Sequence, residues 1–258
     1  MAEQLMPENV ELTLDQVLGG RVSLFQPIEG YRAAIDPVLL AASVPASTMT
    51  AGGAGRIVDL GCGVGTAGLC LLARLPDVSC LGIDVQPALV DLANRNAAAS
   101  GLAGRYRAIE GNILDHRRLR DVGPADHVIA NPPYLPRGRA SVSDHPVKAL
   151  ANVESDAVLA DWVAAARAIV APRGHVTFIH RADRLPELLS LMQECIGGLA
   201  ILPIQPKPDE PARRVLVRGQ RGSRAPSRLL APVVLHEADG RFTAEAEAVL
   251  RAAAALAL

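Results

Sequence analysis

The sequence predicts an open α/β sheet: seven mostly parallel strands, helices on both faces, and an antiparallel hairpin near the C-terminus. Three observations carry that prediction. Short apolar runs alternate with helical patterns from Arg56 onward, the signature of parallel strands joined by crossover helices. A glycine-rich turn separates the first of these strands from its helix. The last two strong strands are joined by a proline-rich stretch, Pro206 to Pro211, too short for a crossover helix, which makes that pair antiparallel.

In chain order, Leu12 to Pro27 reads as a hairpin turning at Gly19-Gly20. Asp36-Pro37 reads as an N-cap and first helical position, opening a short helix through VLLAAS. These parts form an N-terminal extension over residues 1–50, ahead of the main domain over 51–258. The sheet starts with RIVDLG and its helix AGLCLLARL. The strand VSCLGID and a helix opened by Pro87 follow, then the strands RYRAIEG and DHVIAN. A long polar loop, Leu135 to Ala149, leads to SDAVLADWVAAARAIVA as a helix, HVTFIH as a strand, ADRLPELLSLMQEC as a helix and LAILPIQP as a strand. ARRVLVRGQ is the returning strand, LAPVVLHE one more short strand, and TAEAEAVLRAAAALAL a terminal helix.

Composition narrows the class. Hydrophobic residues make up 50% of 258, enough for a large core, and 21% charged residues exclude wholesale disorder. A net charge of −1 argues against a protein that coats polyanions over its whole surface. Positive charge is nearly all arginine, with Lys148 and Lys207 the only lysines, a pattern that GC-rich coding alone produces. The four cysteines, Cys62, Cys70, Cys80 and Cys195, lack metal-ligand spacing, so no metal site or disulfide framework is expected. No basic leader with an apolar run opens the chain and no apolar stretch reaches ~18 residues. A soluble, cytoplasmic protein without a membrane partner is expected.

Asp59-Leu60-Gly61-Cys62-Gly63-Val64-Gly65 stands between a strand and a helix, where open α/β sheets bind ligands. Glycines there allow a tight turn and close approach of a ligand. Gly63 to Gly68 also fits the dinucleotide pattern GxGxxG, with Asp84 ending the next strand. Asp59 separates the two readings: a carboxylate at that strand end suits an ammonium group and repels a pyrophosphate. Asp84 suits ribose hydroxyls in either case. A glycine turn with no ligand is the plain alternative.

The loop together with Asp84 resembles the class I S-adenosylmethionine-dependent methyltransferases, whose fold is Rossmann-like. The resemblance implies S-adenosyl-L-methionine as cofactor. It implies that Asp59, Gly61, Gly63 and Gly65 wrap the methionine end and that Asp84 holds the ribose. Asn112 falls where these enzymes often place an Asp against the adenine amine. Cys62, Val85 and Ile113 join the implied cofactor-binding set.

Asn131-Pro132-Pro133-Tyr134 closes the fourth strand of the alternation. Two prolines lack N–H groups and fix φ, giving a rigid edge rich in carbonyl acceptors. That edge suits methylation of a planar amine. The Asn131 side-chain oxygen and the Pro132 carbonyl can each accept one amine hydrogen, aiming the nitrogen lone pair at a methyl donor. Tyr134 can stack on a flipped-out base, and in a chain with 3% aromatics its place here is informative. A proline turn after a buried strand is the bland alternative. The motif resembles both N6-adenine methyltransferases and the glutamine methyltransferases of release factors. The latter carry a sizeable helical N-terminal domain, whereas about 55 residues precede the first strand here, which favours adenine.

The run from Phe25 to Leu40, including Tyr31, Arg32 and Asp36, resembles the bacterial tRNA(Val) adenine-N6 methyltransferase family. That family modifies the adenine beside the anticodon, and the resemblance spans roughly residues 12 to 250. It implies that Tyr31, Arg32 and Asp36 cover the cofactor from the N-terminal side, that Asn131 to Tyr134 are catalytic, and that the substrate is RNA. Between Gln205 and Arg228 stand seven cations (Lys207, Arg213, Arg214, Arg218, Arg221, Arg224 and Arg228) against Asp209 and Glu210, a local +5. Such a run, from Lys207 to Arg228, can meet phosphates. Arg137 and Arg139, and Arg117, Arg118 and Arg120, form two further basic clusters.

Overall fold

The computed structural model describes residues 11–28, 34–46, 55–134 and 157–258. Strands β1 (Leu12–Val17) and β2 (Val22–Pro27) form the expected antiparallel hairpin, a two-stranded sheet of its own. It turns through Leu18, Gly19 and Gly20, all at positive φ. Helix α1 (Asp36–Ala42) follows. Its N-cap is Ile35, not Asp36, and no side chain caps it. The Asp36 carboxylate is drawn to partners across the molecule instead, as described below.

The main sheet contains β3 (Gly55–Leu60), β4 (Val78–Asp84), β5 (Tyr106–Glu110), β6 (Ala125–Ala130), β7 (Val170–Arg181), β8 (Ile196–Gln205) and β9 (Arg214–Arg221). These are the seven expected strands. Two-residue strands β10 (Arg228–Leu229) and β11 (Val233–Val234) both pair with β8, so the main sheet has nine strands among the described residues. The order is β10-β8-β9-β7-β6-β3-β4-β5. β9 lies between β7 and β8, antiparallel to both, while the other pairings are parallel. The chain runs outward from β3 through β4 to β5, then returns to β6 on the other side of β3. That reversal is a topological switch point, where a crevice opens at the strand C-termini.

Seven α-helices are described. They are α1, α2 (Thr66–Arg74), α3 (Pro87–Ala99), α4 (His116–Asp121), α5 (Leu159–Ile169), α6 (Leu185–Gln193) and α7 (Ala244–Ala252). Strand residues alternate between two cores. Ile57, Ile129, Ile179 and Leu216 pack with α1, α2, α3 and α7; Val58, Val128, Phe178 and Val217 pack with α4, α5 and α6. This period-two split makes the fold doubly wound.

Two elements depart from the sequence reading. α4 is additional: Asp115 caps it by accepting from the Arg118 N–H at 3.2 Å. The terminal helix is shorter than its alanine pattern suggests. Ala253 adopts a left-handed C-cap, and the tail turns back so that Leu256 is buried and its N–H donates to the Ala42 carbonyl. Docking on α1 buries apolar surface that an extended surface helix would leave exposed.

Candidate active site

β3 and β4 end side by side, and each carries a buried carboxylate at or next to its last residue. Asp59 sits in β3 one residue before Leu60 and accepts from the Gly68 N–H at 3.1 Å. Burial pushes its pKa up to about 7, the Gly68 hydrogen bond pulls the other way, and the charge on Asp84 adds to the rise. Asp84 accepts from the Gly63 N–H at 2.9 Å and the Gln86 N–H at 3.0 Å. Burial raises its pKa as well, against those hydrogen bonds.

The loop between β3 and α2 turns through Gly61, Gly63 and Gly65, at φ of 66°, 54° and 87°. Gly61 also allows a close approach: a Cβ there would lie 2.4 Å from the Trp162 ring. The N–H groups of Gly61 and Cys62 bond to the Ile83 carbonyl, that of Gly63 to Asp84, that of Gly65 to Cys62 and that of Gly68 to Asp59. Most loop donors are therefore committed within the protein. An anion cradle needs free amides, whereas this loop presents two buried carboxylates and the buried, unpartnered Thr66 hydroxyl. A ligand carrying an ammonium and hydroxyl groups fits that set; a pyrophosphate does not.

The predicted cofactor residues fall as follows. Asp59, Gly61, Cys62, Gly63, Gly65 and Asp84 come together at the switch point. Val85 follows Asp84 as an exposed apolar side chain. Asn112 is exposed, and its Oδ1 accepts from the Leu114 N–H at 2.9 Å, so the loop already uses part of its hydrogen-bonding capacity. Ile113 is buried in the core, while its neighbour Leu114 is exposed. Tyr31 and Arg32 lie outside the described residues, as does the loop expected over Leu135–Ala149.

Asn131-Pro132-Pro133-Tyr134 leaves the end of β6, whose last residue, Ala130, pairs with Leu60 of β3. The motif and the glycine loop therefore emerge from adjacent positions of neighbouring strands. Tyr134 Oη lies 2.5 Å from Asp36 Oδ2 and 2.7 Å from Asn131 Oδ1. Arg214, the first residue of β9, donates through Nε to the same Asp36 oxygen at 2.9 Å, and its guanidinium lies 4.4 Å over the Tyr134 ring. Burial and the neighbouring Asp36 charge hold the Tyr134 phenol above its ordinary pKa. Burial opposes the charge on Arg214, but Asp36 outweighs it and the guanidinium pKa is raised.

His180, at the end of β7, packs its ring 5.5 Å from that of Tyr134. Its Nδ1 accepts from the Arg181 N–H, which leaves the ring proton on the buried, unpartnered Nε2. Burial lowers its pKa to about 4, so the ring is neutral at ordinary pH.

Asp36 thus stands with the acceptor motif rather than acting as a helix cap. The basic run is not the open patch its sequence suggests. Arg214 pairs with Asp36, Arg218 donates to the Ser43 and Leu258 carbonyls, and Arg221 donates to the Val170 carbonyl. Arg213 is exposed and pairs with Glu210. Sequence reasoning missed His180 and Asn96. Asn96, on α3, is fully buried, accepts from the Phe25 N–H at 2.7 Å, and donates to the Phe25 and Val64 carbonyls. It fastens the hairpin to the glycine loop. An Asn at an apolar helical position (Leu92, Ala93, Asn96, Ala97) was the available signal.

A family model for the methyltransferase small domain matches residues 38–197. The chain belongs to this family. This methyltransferase is 26% identical over 193 residues to a tRNA1(Val) (adenine(37)-N6)-methyltransferase of Porphyromonas gingivalis, covering 73% of this chain and 75% of the relative. It is 44% identical to a release factor glutamine methyltransferase of Rhodospirillum rubrum over 82 residues, 32% of this chain. The chain spans about a quarter to a third of the length of the release factor enzymes it matches. Among solved structures it is similar to one described as a predicted O-methyltransferase from Agrobacterium tumefaciens, with a TM-score of 0.69 and 27% identity over 86% of this chain and 99% of that one. The fold is that of the class I methyltransferases, and the cofactor is S-adenosylmethionine. Among the described residues no helix is long and apolar enough to cross a membrane.

Proposed function

We propose that this methyltransferase methylates the exocyclic N6 amine of an adenine in RNA, the adenine beside the anticodon of a tRNA above all. The observation that carries this reading is the position of Asn131-Pro132-Pro133-Tyr134, one strand away from the glycine loop at the switch point.

When bound, S-adenosylmethionine supplies an electrophilic methyl group on a sulfonium. The protein's part is binding and orientation. Asp59 would accept from the ammonium of the methionine end, and Asp84 would accept from the ribose hydroxyls. The Asn131 carboxamide oxygen and the Pro132 carbonyl each accept one hydrogen of the target amine. An amine conjugated to a ring is a weak nucleophile because its lone pair is delocalised. Two acceptors draw the nitrogen toward tetrahedral geometry and aim that lone pair at the methyl, so the contribution is orientation and fixed dipoles. Arg214 lies over the Tyr134 ring and His180 packs beside it, so the ring is held in place next to the acceptor position.

The relative matched over three quarters of both chains is a tRNA adenine enzyme, and this supports RNA over protein. The stronger local match to release factor enzymes keeps a glutamine amide as the second reading, since it also presents a planar NH2 group. Lys207, Arg224 and Arg228 remain in the basic run as candidates for phosphate contact. The deciding experiment offers the protein methyl-labelled S-adenosylmethionine with tRNA lacking native modifications, and in parallel with a release factor. Label in the tRNA alone is expected; label in the release factor alone would replace this reading with the second.

A further inference from the structure

Tyr134 has one phenolic proton and faces two side-chain oxygens, Asp36 Oδ2 at 2.5 Å and Asn131 Oδ1 at 2.7 Å. One proton cannot serve both contacts. Arg214 settles which it serves. Its Nε donates to the same Asp36 oxygen at 2.9 Å, so Asp36 stands as a carboxylate beside a cation and has no proton to give. The phenol therefore donates to Asp36, and this charge-assisted contact is the shorter of the two. What Asn131 turns toward Tyr134 Oη must then be a donor. The two ends of a carboxamide have the same shape, and their hydrogen-bond partners decide which is which. The structure sets Oδ1 at this contact; turning the carboxamide over places Nδ2 against Tyr134 and Oδ1 on the opposite side, which satisfies every group.

We propose that Arg214, Asp36 and the Tyr134 hydroxyl form a positioning relay that fixes the carboxamide of Asn131 with its oxygen toward the amine being methylated. The proposal rests on Asn131 being the acceptor for that amine. In the other flip Asn131 would meet the amine with its own NH2, donor against donor. Asp36 and Arg214 are positioning residues, since they act through Tyr134. The relay draws on three distant segments: α1, the end of β6 and the start of β9. It gives the N-terminal extension and the C-terminal hairpin a joint hold on one side-chain torsion. It also gives Arg214 an occupation other than phosphate contact.

The test uses the full chain with Tyr134→Phe, which keeps the ring and removes the hydroxyl, and Asp36→Ala. Folding is checked by thermal melting and S-adenosylmethionine binding. The first readout needs no substrate. In 15N–1H spectra the Asn131 side-chain NH2, assigned through Asn131→Asp, should show one proton shifted and protected by its bond to Tyr134, and that signature should vanish in Tyr134→Phe. The second readout is methyl transfer. Each single variant should lower kcat by about 10- to 100-fold, the scale for losing a group that orients a catalytic one, with KM for both substrates nearly unchanged.

The double variant separates a relay from mere packing. Without Asp36 the hydroxyl is released to donate to Asn131 Oδ1 and hold the wrong flip. Removing it as well should cost nothing more and return kcat to the Tyr134→Phe level. Arg214→Lys, which keeps the cation, should retain more kcat than Arg214→Gln. An unchanged Asn131 signature in Tyr134→Phe, or losses that add in the double variant, would overturn the relay. If tRNA is not methylated at all, the proposed substrate falls, and the spectra still judge the relay by themselves.

Discussion

The proposed cofactor side and the proposed acceptor side of this site are built in opposite ways. The cofactor side is local. Asp59, the glycine turn and Asp84 lie within 26 residues, and their geometry follows from two parallel strands ending together. Backbone N–H groups hold both carboxylates. The acceptor side is assembled from afar: Asp36 on α1, Asn131 to Tyr134 after β6, His180 on β7 and Arg214 on β9. Side chains hold it together. A locally built site survives wherever the strand–loop–helix unit folds. An assembled one depends on every segment that meets there, so it is the part that can vary between enzymes that share a cofactor.

The largest expected effect lies on the acceptor side. Asn131→Ala should cut kcat by ~10²–10³, the scale for one lost transition-state hydrogen bond, and leave S-adenosylmethionine affinity nearly intact. Calorimetry alongside steady-state kinetics checks both. A collapse of cofactor affinity with normal turnover of the bound complex would place Asn131 on the wrong side of the comparison. The mirror experiment is Asp84→Ala, which should weaken cofactor binding by roughly 10- to 100-fold, as expected for hydrogen bonds to a charged group, while bound enzyme still turns over.

A smaller effect concerns pH. With its pKa raised to about 7, the folded state keeps a proton on Asp59 that the unfolded chain has already lost. Without ligand, stability from this group therefore falls as pH rises from the ordinary carboxylate range through about 7. A bound ammonium favours the ionised form, so binding should expel the proton and affinity should strengthen as pH rises toward about 7, levelling off above it. Titration calorimetry in buffers of different ionisation enthalpy reads the released proton, and Asp59→Asn should abolish it. An affinity independent of pH would remove Asp59 from the ammonium site. The smallest effect belongs to single surface cations. Arg224→Ala and Arg228→Ala should each flatten the salt dependence of tRNA binding by about 0.7 in slope. Arg213→Ala should change stability by less than about 1 kcal/mol, because its exposed pair with Glu210 contributes little.

The same comparison explains what could be read from the sequence. The doubly wound sheet was legible, because parallel strands and crossover helices impose their periods on contiguous residues. The convergence of Asp59, the glycine turn and Asp84 was legible too, since these residues sit at strand ends. On the acceptor side Asn131 to Tyr134 could be read as a unit, because that motif is contiguous, whereas Asp36 was expected over the cofactor and Arg214 among phosphate-binding cations. Asp36 before a proline has the local pattern of a helix cap, and nothing nearby reveals that Tyr134 and Arg214 claim its carboxylate. Arg214 and Arg218 read as surface charge until β9 is placed between β7 and β8, which turns them toward Asp36 and the Ser43 carbonyl. α4 was missed because six residues are too few to show a helical period.

The central claim is that this site methylates an adenine amine. Its most direct test incubates the protein with S-adenosylmethionine and tRNA lacking native modifications, then digests the RNA to nucleosides for mass spectrometry. The account predicts N6-methyladenosine with the wild-type chain and nearly none with Asn131→Ala. A preparation that binds S-adenosylmethionine but yields no methylated adenosine, or one methylated at another atom, would contradict it.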